Sequence, residues 1–380
     1  MARRRTWIPA LAAALLLATG VVPPAGAETV LFADSLDGST AARPWRVPPR
    51  APVEAPGGGR ALRFERGRTW DPYGQPWVGD ESWVSYRVEV DVLPETKWAG
   101  IDVHVQDDGL AACGVTLLEI PDDRIAFEML GLSGVAGAFK LWPVGQRFAP
   151  HLKGEWVRLR LDVGPDVVNV YAGADPQAMA TFYDLPRGRG GVRLATYAGS
   201  AYFRNLRVTA LPEGSVRPAL ADVWAEARRG HVLRDWQVSD WHGAGHGADS
   251  VPPQIARGPG SWRRVPADGR GVVDLTGHLG QHNTWGTAYA RTSFVAARAG
   301  QRTLRLTYTD LFSLWCNGRK VFAGPPRQWF HPDRAKYGNS RLIPDQFEVV
   351  VPVRAGRNEL LVRSEVTEPF GWGFWVRLVE

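Results

Sequence analysis

The stretch YRVEVDVLPETKWAGIDVHVQDDG, residues 86–109, decides the fold. Val88, Val90 and Val92 take alternate positions in its first half, and Ile101, Val103 and Val105 do so in its second. The positions between them are polar: Arg87, Glu89 and Asp91, then Asp102, His104 and Gln106. Successive side chains of a strand point to opposite faces, so a period of two predicts two half-buried strands with a short connector. The polar faces pose the functional question: they are either wet surface or the floor of a site.

The same alternation recurs outward from this stretch. ALRFER (61–66), WVSYRVEVDVL (83–93), RIAFEML (124–130), EWVRLRLDV (155–163), VVNVYAG (167–173), GVRLATY (191–197) and AYFRNLRVTAL (201–211) all read as strands. VGPD (163–166) reads as a hairpin turn between two of them. Turn residues recur about every 8–12 positions and helical periodicity is rare, the pattern of an all-β sandwich or barrel. The composition then shifts. PEGSVRP (212–218) reads as a linker, and ALADVWAEARRG (219–230) is expected to be a helix. Pro218 suits its first turn, arginines sit in its last turn, and Gly230 suits its C-cap. Strands resume in QRTLRLTYTD (301–310), LFSLWCNGRKVFAG (311–324) and DQFEVVVPVRAGRNELLVRSEV (345–366), and GWGFWVRLVE closes the chain. Asn317-Gly318 is a strong hairpin signal, because a type I′ turn needs positive φ at both central residues. A second hairpin is expected to turn at Ala355-Gly356. The fold class expected is therefore all-β: two β-sandwich (jelly-roll) domains in tandem, 28–211 and 231–380, joined by a linker with one short helix over 212–230.

A chain of 380 residues carries a prior of two domains. Its first 27 residues combine Arg3, Arg4 and Arg5, an apolar run from Ile8, and Ala25-Gly26-Ala27. That is the order of a secretory signal peptide cut after Ala27, which predicts a secreted or periplasmic protein with no membrane span in the mature chain. RRTWI (4–8) loosely matches a twin-arginine signal. No cysteine lies near the cut, which argues against lipoprotein attachment. The formal net charge is +6, and the three leader arginines account for half of it. With no block of five or more basic residues, nothing here is a nucleic-acid footprint. Cys113 and Cys316 fall one in each expected domain, both among apolar residues. They are read either as separate buried thiols or as a staple between the domains.

LFADSLDGSTAARPW, SWVSYRVEVDV, WAGIDVHV, GEWVRLRLDV and GVRLATYAGSAYFRNLRV together resemble a concanavalin-A-like, laminin-G-like jelly roll over about residues 30–211. The nearest subgroup is the 3-keto-disaccharide hydrolase-like (family-16-like) domains of exported bacterial proteins. WAG (98–100) stands where that subgroup has an N-S-G-like signature, and LLEI (117–120) where a tyrosine-containing strand is usual, so no catalytic residue is carried over. DWQVSDW (235–241), TDLFSLWCNGRKVF (309–322) and AGRNELLVRSEV with GWGFWVRL (355–378) resemble the galactose-binding-like jelly roll found beside glycosidase domains.

The candidate chemistry is that of sugar. In a curved sandwich one sheet is concave, and its outward side chains alternate with core residues. Glu89, Asp91, Asp102, His104, Glu128, Arg158, Arg160 and Asp162 are the candidates for such a face. Glu89 and Asp91 are about 7 Å apart along a strand, within the range of paired glycosidase carboxylates. His104 beside Asp102 could carry a proton or hold a metal. The alternative is a solvated face laced by cross-strand pairs. Glu95 falls six positions after Glu89, which fails the compact E-x-D-x-E spacing of family-16 glycosidases. Trp98, Trp241 and Trp285 are candidates to stack on the C–H face of a pyranose, with Trp70, Trp77 and Trp329 also in loop-like stretches. DWHGAGHGAD (240–249) places His242 and His246 with Asp240 and Asp249, but its glycines make it a loop rather than a helical metal site. No cofactor is expected. Ca2+ is left open through Asp107, Asp108, Asp122 and Asp123, which lack diagnostic spacing. The expected function is carbohydrate or glycan binding without chemistry of its own. The alternatives are a glycoside hydrolase or lyase using the first-domain polar face, or a structural or adhesive envelope protein.

Overall fold

The computed structural model describes residues 28–39, 45–65, 75–95, 100–107, 112–120, 124–132, 144–146, 149–150, 155–183, 185, 188–222, 224–243, 262–279, 286–324, 342, 344–367 and 372–379. Residues 1–27, read from the sequence as a signal peptide, lie outside them. They form four antiparallel sheets of nine, six, five and seven strands, which is the all-β architecture the alternation predicts.

Two sheets come from residues 30–210. The nine-stranded sheet has Tyr86–Pro94 at its centre, flanked by Ala201–Ala210 and Val157–Val163. The six-stranded sheet runs from Ala149–Pro150 through Arg124–Leu132, Ala112–Ile120, Gly100–Asp107 and Gly191–Ala198 to Trp77–Val78. Val88, Val90, Val92, Leu159 and Leu161 of one sheet and Val103, Val105, Val192 and Leu194 of the other share one buried cluster. Val88, Val90 and Val92 thus belong to one sheet, and Val103 and Val105 to the sheet facing it. Tyr86–Pro94 and Gly100–Asp107, neighbours in sequence, do not pair with each other.

The other two sheets come from residues 231–379. Gly300–Tyr308 and Gly373–Val379 lie in the five-stranded sheet, with Gly286–Ala296, Gly356–Val366 and Leu311–Cys316 in the seven-stranded one. Trp236, Phe294, Leu306, Leu314, Val362 and Phe374 fill the space between them. Asn317 at φ 50° and Gly318 at φ 80° form the expected turn. The second expected hairpin is corrected: Phe347–Val353 pairs with Gly300–Tyr308 and Gly356–Val366 with Gly286–Ala296, so Gly356 at φ 87° turns the chain from one sheet to the other. Each described strand pairs within its own half of the chain.

The expected helix over 219–230 is corrected to a strap ending in a single 3-10 turn, Ala227–Arg229. Tertiary partners take the backbone groups that a helix would use. Asn169 donates to Arg217 O at 2.7 Å and accepts from Ala219 N at 3.0 Å. Leu220 N donates to Thr181 Oγ1 at 3.2 Å, and Tyr183 Oη donates to Leu220 O. Asp222 then takes the Trp224 N–H at 2.8 Å, a local bond that competes with helix formation. Trp224, buried, stacks edge-on against Trp375 at 5.7 Å. The strap is thus bonded to the first half through 217–220 and packed on the second through Trp224. A short helix that the sequence did not announce, Leu275–Leu279, starts where Asp274 Oδ1 accepts the Gly277 N–H at 2.9 Å.

Candidate functional site

On the outer face of the nine-stranded sheet, polar residues meet in rows. Asp91 lies opposite Arg158 on one neighbouring strand and Arg204 on the other. Glu89 lies opposite Arg160 and Arg207, and Arg87 opposite Asp162. Arg204 and Arg207 are an odd number of residues apart and would face opposite ways in a regular strand. A bulge there, with Asn205 at φ 55°, turns both toward the carboxylates. Asp91 is ion-paired with Arg158, accepts from Asn205 Nδ2 at 2.7 Å, and lies 3.6 Å from Arg204 Nε. Arg158 also approaches Glu89 at 3.8 Å, and Arg87 donates to Asp162 at 2.6 Å. The Arg160 guanidinium sits 3.7 Å from the Tyr171 ring centroid and that of Arg204 3.9 Å from Trp156.

This lattice favours the ionised form of Asp91. Burial alone would raise the Asp91 pKa. The bonds from Arg158 and Asn205, with the charges of Arg158 and Arg204, outweigh it and hold the carboxyl below its ordinary value. A general acid needs the opposite shift. Asp91 and Glu89 therefore pair with Arg158, as cross-strand residues do, while Arg160 lies 3.8 Å from Asp162.

The remaining polar candidates are on the other sheet, so the single face expected from the sequence is corrected to two. Asp102 and His104 are in Gly100–Asp107 and Glu128 in Arg124–Leu132. The core separates them from Glu89 and Asp91, since stacked sheets stand about 10 Å apart. Within the six-stranded sheet, Trp77, Arg193, His104 and Gly114 form one row across four strands. Ala195, Asp102, Thr116 and Glu128 form the next. The core members of these strands are Val103, Val105, Val192 and Leu194, the neighbours of His104 and Arg193.

Arg193 and Asp107 form a buried, two-pronged ion pair on this sheet. Arg193 donates to the two carboxylate oxygens at 2.5 and 3.0 Å, and the residues are 4% and 0% exposed. The third nitrogen, Nη1, and the indole nitrogen of Trp77 are buried without a hydrogen-bond partner among the described residues. The Arg193 guanidinium lies 5.8 Å from the Trp77 ring centroid. A bulge makes the pair. Gln106 sits at φ 54°, and the register slips between Gly191 and Arg193, where Asp107 and His104 are their partners. The Gln106 amide is fixed by donating to Gly164 O and Pro165 O at 3.0 Å each, and its backbone N–H donates to Tyr86 Oη at 2.9 Å. Gly190, at φ 136°, leaves room for this turn; a Cβ there would stand 2.5 Å from Asp107 N.

Sequence reasoning missed Arg193 and Asp107. Arg193 stands between Val192 and Leu194 as an ordinary outward residue, and Asp107 read as a loop carboxylate. The one available signal was R-G-G (189–191), glycines directly before a strand, which mark a close backbone approach. Trp98 and Trp285 lie outside the described residues. Trp241 is half-buried and packs on the second core rather than standing at a loop tip; a Cβ on Gly286 would run into its indole ring. His242 is in a two-residue strand with Gly243, its ring 5.8 Å from that of Tyr289, while His246 and Asp249 lie outside the described residues.

Among the described residues no group of three or more His, Cys, Asp or Glu gathers as a metal site. Both oxygens of Asp107 face Arg193, and Asp108, Asp122 and Asp123 are outside the described residues. Cys316 is a buried free thiol donating to Pro352 O at 3.4 Å, which removes the staple reading for it. Burial pushes its pKa up. No helix among the described residues is long and apolar enough to cross a membrane.

No protein-family model matches the chain, and no curated protein is similar to it. Among solved structures, a xylan β-1,4-xylosidase from Bacillus halodurans C-125 matches with a TM-score of 0.34 and 13% identity over 47% of this chain. That match spans 38% of the xylosidase. The carbohydrate-binding module CBM66 from Bacillus subtilis matches at TM-score 0.31 and 15% identity, over 44% of this chain and 95% of its own. Domain 4 of AbnA, a GH43 extracellular arabinanase from Geobacillus stearothermophilus in complex with arabinotriose, matches at TM-score 0.30 and 15% identity, over 51% of this chain and 95% of its own.

Proposed function

We propose that this is an exported glycan-binding protein without chemistry of its own, built from modules 28–211 and 231–380 with its primary site on the six-stranded sheet of the first. One observation carries the reading: an aromatic residue, a buried arginine and a histidine, Trp77, Arg193 and His104, share a row, with Asp102 and Glu128 in the next. Sugar recognition needs that mixture, a flat apolar surface for C–H groups beside fixed donors and acceptors for hydroxyls. The Arg193–Asp107 pair, buried and bidentate, gives such a surface a rigid anchor. Against catalysis stands the lattice on the other sheet, where the carboxylates that might have formed a glycosidase pair face arginines.

The test is titration calorimetry of the mature chain against neutral plant, algal and bacterial glycans, with a reducing-end assay in parallel. Binding to at least one glycan is expected, weakened about tenfold by His104→Ala or Glu128→Ala, each removing one polar partner. Silence across the panel, or release of reducing ends, overturns the proposal.

A further inference from the structure

The second half carries a groove that the first-half face does not explain. It encloses about 740 Å³ over the outer face of the seven-stranded sheet. Arg264, Gln237, Arg291, Leu361, Trp315 and Lys320 form one row across six strands. Their neighbours Trp236, Val265, Ala290, Leu360, Leu314 and Cys316 fill the core, so alternation turns the row outward. Trp262 and Trp315 both line the groove, Trp262 against Arg291 and Trp315 almost wholly buried in its floor.

Arg291 is the decisive residue. Its guanidinium lies 4.2 Å from the Trp262 ring centroid, and its Nε donates to Gln237 Oε1 at 2.8 Å. Among the described residues it has no carboxylate partner, and its two terminal nitrogens make no hydrogen bond. The stacking and the Gln237 bond fix the plane, which leaves a two-pronged donor edge on the groove. The other groove arginines are paired only at the surface. Arg264 and Asp235 meet at 2.6 Å with side chains 76% and 74% exposed, and Arg357 lies 4.0 Å from Glu359. Such pairs are worth about 0–1 kcal/mol, so a competing anion can take their arginines.

We infer that this groove binds an acidic polysaccharide, with a sugar carboxylate on the Arg291 guanidinium and a pyranose ring packed beside it against Trp262. An open groove suits a chain rather than a terminal sugar. A carboxylate matches the planar fork of arginine. The site is independent of the six-stranded-sheet face, so either can fail without the other.

The experiment is titration calorimetry of the whole mature protein with oligogalacturonides, the same oligomers after carboxyl reduction, and single-stranded DNA, at low and high salt. Binding is expected for the acidic oligomer, weakening as salt rises, and absent after carboxyl reduction. Arg291→Ala and Trp262→Ala should each lower affinity about tenfold or more. Arg291→Lys should rescue only part of it, because an ammonium neither stacks nor binds in two prongs. His104→Ala and Glu128→Ala should leave it unchanged. Arg291→Gln removes the charge and the terminal nitrogens but keeps a polar side chain about as far out as the arginine Nε, and serves if the alanine variant does not fold. Equal binding of the reduced oligomer, unchanged binding by Arg291→Gln or Arg291→Ala, tighter binding of the DNA, or no binding of any acidic oligomer overturns the inference.

Discussion

The outer face of the nine-stranded sheet and that of the seven-stranded sheet are built from the same residue types and use them in opposite ways. On the first, Asp91 and Glu89 each lie in register with arginines on both flanking strands, and Asp91 is only 8% exposed. Rings there cover arginines that already have acids, as Trp156 covers Arg204. On the second, Trp262 covers an arginine without an acid, and the ion pairs around it are exposed. Register and burial, rather than composition, separate a self-neutralised surface from one with donors to spare. The six-stranded sheet adds a third case, the Arg193–Asp107 pair sealed from water.

Breaking these ion pairs one at a time grades the comparison. Asp107→Ala should cost the most, about 3–5 kcal/mol in chemical denaturation, because it strands a buried guanidinium. Replacing both partners by apolar residues should recover much of that. Gly190→Ala should follow at about 3 kcal/mol, since it forces a side chain against the Asp107 backbone at an angle only glycine tolerates; its near-ultraviolet circular dichroism should change as the bulge shifts. Asp91→Asn should cost about 1–3 kcal/mol. It should also alter the acid limb of stability. A carboxyl with a depressed folded pKa stabilises the fold above the unfolded value of about 3.9. That contribution is lost as pH falls through the lower folded value, so the wild type should lose stability there and the variant should lose less. Asp235→Asn should change stability by no more than about 0.5 kcal/mol. Equal costs at Asp107, Asp91 and Asp235 would mean that burial does not separate the three settings.

Much of the fold was legible because period-two alternation is a local property. Val88, Val90 and Val92 announce a buried face whatever pairs with them, and Asn317-Gly318 announces a turn by backbone preference alone. The candidate site was less legible. Glu89, Asp91, Asp102 and His104 look alike in sequence, yet a strand pattern does not say which sheet a strand joins, and they fall on two. The strap misled for the opposite reason: ALADVWAEARRG has helical punctuation, but Asn169, Thr181 and Tyr183 claim its backbone. Arg291 and Trp262 gave no signal, because their pairing is made by neighbouring strands distant in sequence.

By itself the sequence determined that this chain folds as stacked antiparallel sheets with polar outer faces, because side-chain alternation and turn propensity act over a few residues. The tertiary structure decided which carboxylates are neutralised, which arginine keeps an open donor edge, and that 217–230 is a strap. Those outcomes depend on register between strands as far apart as Asp91 and Asn205, 114 residues, and on burial, which only the assembled sheets define.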